Sequence, residues 1–184
     1  MMAIIFAKKS QRLKDKHTMD ICGEHLIDRV SRIILESNLF EEIILFTKNS
    51  LLSSKYCITE NDATEGVLID SILYSIGKHK EFLAVGGDMP YIDKGLIDNI
   101  ITSYSGTAIT CTADGFYQPL FTVYTEKLYK PMKEYRNNGG ESVSRFLGTS
   151  EIQALRVESE KLRSINYMSD LNEARRILCG VKND

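Results

Sequence analysis

The chain has 184 residues, a formal net charge of −2 and 43% hydrophobic residues, which is enough for one domain with a real core (1–184) and excludes a general polyanion binder. No apolar run is long enough to cross a bilayer, and the N-terminal apolar run precedes its charges, the reverse of a signal peptide, so a cytoplasmic protein without membrane association is expected. The four cysteines, Cys22, Cys57, Cys111 and Cys179, form no CxxC pair and predict thiols in a reducing compartment instead of a disulfide framework or zinc site.

Residues 3–7, AIIFA, predict a short strand covered on both faces. A burst of charge follows: FAKKSQRLKDK, residues 6–16, holds five Lys or Arg in eleven positions. From Leu26 the apolar residues Ile27, Val30, Ile33 and Ile34 mark an amphipathic helix ending near Ser37. EIILFT (42–47) predicts a second strand and YCIT (56–59) a weaker third. Leu68, Ile72 and Ile76 define a second helix, FLAVGG (82–87) a strand ending on two glycines, and Leu96, Ile97, Ile100 and Ile101 a third helix. TAITCT (107–112) and LFTVY (120–124) predict two more strands. A last helix runs from about Ser169, its expected N-cap, to Leu178, with Gly180 as the stop. Such alternation argues for an α/β sheet with helices on both faces, whose ligands sit beyond the carboxyl ends of the strands. The basic loop and the GGDMP segment are therefore expected at one crevice.

Asp88 follows a hydrophobic strand, with Gly86 and Gly87 before it and Met89-Pro90 after it. The glycines admit close approach, and Pro90 holds Met89 extended and so aims Asp88. A carboxylate there suits Mg²⁺, which takes one or two carboxylates plus phosphate oxygens and waters; a turn or helix cap is the plainer use of the same residue. In the basic loop, Ser10, Arg12 and Lys16 are candidates for charge-assisted bonds to phosphate, against the plainer reading of a solvated loop. Neither a P-loop nor GxGxxG is present. Asp62 could accept from a base or ribose while Thr64 caps the second helix, and Asn49 is either turn former or ligand contact. His17, His25 and His79 lack metal-ligand spacing and read as surface or packing residues, and no basic–aromatic interleaving speaks for nucleic acid.

In order along the chain, FAKKSQRLKDK, GEHL (23–26), Asn49, Asp62 before GVLIDSI, GDMPYI, QPLFTVY (118–124), NGGESVSRFL and INYMSDLNEARR resemble the successive motifs of the molybdenum cofactor guanylyltransferases (MobA). The resemblance implies a three-layer α/β/α Rossmann-like nucleotidyltransferase fold, its sheet mixed, mostly parallel, with one antiparallel strand. It implies nucleotide contacts at Phe6 (backbone), Ala7, Lys8, Asn49 and Asp62, catalytic roles for Arg12, Lys16 and Asp88 with the first two on the triphosphate, and Mg²⁺ on Asp88. The implied reaction is attack by the terminal phosphate of molybdopterin on the α-phosphorus of GTP. Close alternatives are another nucleotide or acceptor (SQRLKDK also resembles the SxRLxxK loop of sugar-acid cytidylyltransferases) or a silent nucleotide-binding homologue. This chain departs from the family pattern at Lys8-Lys9, where the family has Gly-Gly in a longer loop. No nucleic-acid partner is implied, and a homo-oligomer is compatible with the resemblance.

Overall fold

A computed structural model of the chain describes residues 1–8 and 11–180. In chain order the elements are β1 (Met2–Ala7), the hairpin strands β2 (Asp20–Ile21) and β3 (Glu24–His25), α1 (Leu26–Ser37), β4 (Ile43–Thr47), β5 (Ile58–Asn61), α2 (Leu68–His79) and β6 (Phe82–Gly86). They continue with α3 (Lys94–Ser103), β7 (Ile109–Ala113), β8 (Phe116–Tyr124), α4 (Tyr129–Asn137), α5 (Val143–Thr149), β9 (Gln153–Arg156) and α6 (Met168–Cys179). The main sheet has seven strands in the order β5-β4-β1-β6-β8-β7-β9, and only β8 runs against the rest. The expected mixed, mostly parallel sheet is the one found. Among the described residues no helix is long and apolar enough to cross a membrane.

Alternation along the central strands divides the interior in two. Ala3, Ile5 and Ala7 of β1, with Leu45, Leu83 and Val85, pack under α1, α3 and α6. Ile4 and Phe6, with Ile44, Phe46, Phe82 and Ala84, pack under α2, α4 and α5. Because β1 is apolar at every position, it belongs in the middle of a sheet covered on both faces, and there it lies between β4 and β6. The result is the three-layer α/β/α arrangement.

Local differences from the sequence reading have identifiable causes. β5 is displaced by two residues from 56–59, because its pairing runs from Ile44↔Ile58 to Thr47↔Asn61 along the exposed edge of the sheet. β8 starts at Phe116, since Asp114 (φ 51°) and Gly115 (φ 82°) make a two-residue turn that closes a hairpin with β7. β9, a mostly exposed edge strand, has too few apolar residues for a periodicity signal.

Two expected caps are replaced. Ser169 lies inside α6, and Asp170 does the capping: its carboxylate accepts from the N–H groups of Asn166 and Tyr167 at 2.8 Å each. A carboxylate at a helix start satisfies two free donors and also complements the helix dipole. Thr64 likewise does not cap α2; Asp70 accepts from the N–H of Val67 at 2.8 Å.

The expectation of four free thiols is overturned. Cys22 and Cys179 form a disulfide across 157 residues of sequence, with Cα atoms 5.3 Å apart. Cys22 (φ 57°) and Gly23 (φ 85°) form the tight turn between β2 and β3, and that turn presents the sulfur to the last residue of α6. Arg175 adds a bond from Nε to the Asp20 carbonyl at 3.0 Å. Cys57 and Cys111 are free thiols. With one pair bonded, cysteine usage no longer argues for a reducing compartment.

Candidate active site

The carboxyl ends of β1, β4 and β6 are tied to one another. Gly87 N–H donates to the Phe6 carbonyl at 3.0 Å, and Thr47 Oγ1 donates to the Ala7 carbonyl at 2.8 Å. Phe6 and Ala7 thus supply a rigid, buried floor, and the loops that follow the three strands open at one edge.

After β1 the chain leaves through Lys8; Lys9 and Ser10, the other loop positions singled out in the sequence, lie outside the described residues. It then turns back at Asp15 (φ 54°) into a single 3₁₀ turn, Lys16–Thr18, which drives Lys16 and His17 inward. Lys16 is only 5% exposed. A buried ammonium needs compensation, and it has two partners. The Asp88 carboxylate accepts from Nζ, and so does the Ile165 carbonyl at 2.8 Å. The N–H of Ile165 in turn donates to the Asp88 carbonyl at 2.8 Å. Asp170, by fixing Asn166 and Tyr167, holds Ile165 in place for this exchange.

Gly86 makes room for the arrangement: a Cβ on it would lie 2.9 Å from Asp88 Oδ1 and 3.0 Å from Met89 Sδ. Arg12 is exposed and lays its guanidinium 5.7 Å from the centroid of the Tyr167 ring. Arg12, Lys16 and Asp88 therefore all meet the short 165–167 segment before α6.

His17 lies beside this pair at 7% exposure. Burial pushes its imidazole down to about 4, with Lys16 adding to the drop and the Asp88 charge opposing it. Above pH 6.5 His17 is neutral in both folded and unfolded chains. Below that, the unfolded chain takes up a proton that the folded one refuses until about pH 4, so stability falls over this window and levels off beneath it. Denaturant unfolding from pH 7 to 4 is expected to give a shallower loss for His17→Gln than for the unsubstituted protein. Identical slopes would remove His17 from the effect.

A second group of polar residues follows β4 and β5. Asp62 is buried, and its carboxylate accepts from Thr64 N–H (3.0 Å), Thr64 Oγ1 (2.5 Å) and Ser71 Oγ (2.7 Å). Lys48 donates from Nζ to the Thr64 carbonyl and fixes the same loop. Burial lowers the pKa of the Lys8 ammonium; Asp62 and Asp70 oppose the shift, while Lys48 adds to it. Asn49 is exposed and uses Oδ1 to accept from Leu51 N–H at 3.1 Å, the turn-forming use that the sequence left open.

The two groups therefore flank the end of β1, with Lys16 and Asp88 on one side and Lys8 near Asp62 on the other. Three contributors have no sequence signature as site residues: the Ile165 carbonyl, the buried His17 and the loop-fixing Lys48. Arg136 is bound to Asp70 through Nε (2.8 Å) and Nη2 (3.2 Å).

Whether this edge fits a divalent metal depends on its donors. No group of three or more His, Cys, Asp or Glu residues converges among the described residues, so a cage made only of protein is not offered. A partly buried carboxylate already seated against a cation fits a metal that brings phosphate oxygens and waters as its remaining ligands.

The MobA-like NTP transferase domain family model matches residues 2–154. No curated protein is a sequence match. Among solved structures, molybdopterin-guanine dinucleotide biosynthesis protein A from Archaeoglobus fulgidus superposes with a TM-score of 0.70 at 17% identity, covering 97% of this chain and 100% of that one. A nucleotidyl transferase from Methanothermobacter gives 0.74 at 15% identity, covering 99% of each chain. The 4-diphosphocytidyl-2C-methyl-D-erythritol synthase from Anaerococcus prevotii gives 0.72 at 12% identity, covering 97% of this chain and 96% of that one. At these identities the structural likenesses establish the fold, and the family match reaches further: the chain is a nucleotidyltransferase belonging to the MobA-like NTP transferase domain family.

Proposed function

We propose that the protein, acting as a single domain, transfers GMP from GTP to molybdopterin with Mg²⁺ and releases pyrophosphate. The observation that carries this reading is the contact of Lys16 with Asp88 at the carboxyl edge of the sheet. A cation from the first loop and a carboxylate from the central strand share one spot, as a triphosphate and its metal require. Lys16 and Arg12 would bind the triphosphate, and Asp88 would hold Mg²⁺. When bound, the metal would neutralise charge on the phosphates and on the departing pyrophosphate.

The chain itself has little covalent chemistry to perform. A phosphate oxygen of the acceptor bonds to the α-phosphorus, the bond from that phosphorus to the bridging oxygen breaks, and pyrophosphate leaves in line. Placement and charge neutralisation dominate such a reaction. The floor of Phe6 and Ala7 would support the nucleotide. Lys8 suits guanine, because an ammonium only donates and guanine presents O6 and N7 as neighbouring acceptors. With its oxygens occupied, Asp62 would shape the base pocket by holding Thr64, and Asn49 would border it.

A cytidylyl-transfer reading has two supports, the SQRLKDK loop and the fold shared with a cytidylyl-type synthase. The test is pyrophosphate release with Mg²⁺, molybdopterin and each nucleoside triphosphate in turn. Release with GTP alone is expected. Release with CTP moves the assignment to the second reading, and silence with measurable nucleotide binding makes the protein a non-catalytic homologue.

A further inference from the structure

The Lys16 ammonium sits against the carboxylate that is the candidate metal ligand, buried and also bonded to the Ile165 carbonyl. Two cations cannot share that position. We infer that Lys16 is an internal counter-ion that keeps divalent metal off Asp88 until a triphosphate arrives, so that metal and nucleotide enter together. The inference rests on the nucleotidyltransferase reading for the identity of the anion, but its metal-only half stands on the geometry alone.

Charge counting gives the reason. With Lys16 on Asp88 the site is neutral. A bare Mg²⁺ that displaced the ammonium would leave a net charge of +2 beside a carboxylate that is itself largely buried, and Lys16 would lose the one carboxylate it is paired with among the described residues. A triphosphate changes the balance, because its four negative charges at neutral pH accept both the metal and the released ammonium. Lys16 stands on a short 3₁₀ turn outside the sheet, behind the exposed residues 11, 12, 14 and 15, so its exchange between partners requires no change in strand pairing. Ile165 sets the resting position: it offers one carbonyl to the ammonium and keeps the Asp88 backbone fixed through its N–H. The carboxylate thus stays in register while the cation on it is exchanged.

The test uses Mn²⁺ as the probe, followed by its electron paramagnetic resonance signal. The protein alone is expected to bind Mn²⁺ weakly, Lys16→Met at least about tenfold more tightly, and Lys16→Met/Asp88→Asn to lose that gain. Tight Mn²⁺ binding by the unsubstituted protein that Asp88→Asn abolishes would overturn the inference. So would an unchanged affinity in Lys16→Met shown folded by circular dichroism. If Lys16→Met does not fold, the unsubstituted protein decides alone: with a nucleoside triphosphate analogue that is shown to bind, such as GTP with a methylene bridge between its α- and β-phosphorus atoms, an Mn²⁺ affinity left unchanged after subtraction of free Mn²⁺–nucleotide overturns the inference. Failure of every nucleotide to bind would count against the functional reading instead and would leave the metal-only comparison intact.

Discussion

Asp88→Asn is expected to lower metal-dependent pyrophosphate release on the order of 10³-fold, about 4 kcal/mol of lost transition-state stabilisation, because the amide cannot hold a divalent cation. The substitution also touches stability. Asp88 neutralises Lys16, and removing one partner of a buried ion pair typically costs about 3–5 kcal/mol. Asn keeps a carbonyl that can accept from the ammonium, so its cost falls below that of Asp88→Ala. A rate loss in Asp88→Asn alone would therefore be ambiguous. Lys16→Met/Asp88→Asn isolates the stability part, since removing both charges is expected to restore much of the thermal stability; because Lys16 is itself assigned to the triphosphate, turnover is read in Asp88→Asn alone, at a temperature where circular dichroism shows it folded. Turnover lost in folded Asp88→Asn with Mn²⁺ binding unchanged in the presence of nucleotide would mean that Asp88 acts only by holding Lys16. Turnover unaffected in the single variant would remove Asp88 from metal binding.

The elements that place this site were largely legible, for a simple reason. β1, β4 and β6 are buried strands and read as unbroken apolar runs, while α1 carries its buried residues at helical spacing. The carboxyl-edge rule then brought the basic loop and GGDMP together without any tertiary information. What stayed hidden depends on backbone atoms or on distant partners. The Ile165 carbonyl belongs to a residue whose type says nothing about its oxygen. Asp170 lies in the INYMSDLNEARR motif, but its role in aiming Ile165 appears only once the cap is formed. Asp62 looked like a ligand-reading carboxylate because Thr64 and Ser71, which occupy its oxygens, are ordinary polar residues in sequence. The disulfide was misread because 157 residues of separation leave no pattern, and CxxC spacing is the wrong signal for a bond made by docking α6 on a hairpin turn.

That disulfide carries the second large expected effect. It closes nearly the whole chain into a loop, and in the chain-entropy account longer loops gain more, with about 2–4 kcal/mol being typical. Cys22→Ser, or reduction with a thiol, is expected to lower the melting temperature by about 5–15 °C in a protein of this size. The loss should begin at α6, whose remaining ties include Leu171 and Ala174 in the core, the Arg163–Glu173 ion pair and the Arg175 bond to Asp20. Because α6 starts at the segment that holds Lys16, loosening it should reach the site, seen as faster amide exchange at Ile165 and Asn166 before global unfolding. Thiol titration gives the covalent check. Burial pushes the Cys111 thiol up to about 12 and raises Cys57 as well, so the native oxidised protein should react slowly with thiol reagents. Reduction should add two readily titrated groups, since Cys22 is exposed and Cys179 partly so. Four titratable thiols in the denatured, unreduced protein would show that the bond does not form, and an unchanged melting temperature on reduction would leave α6 held by packing alone.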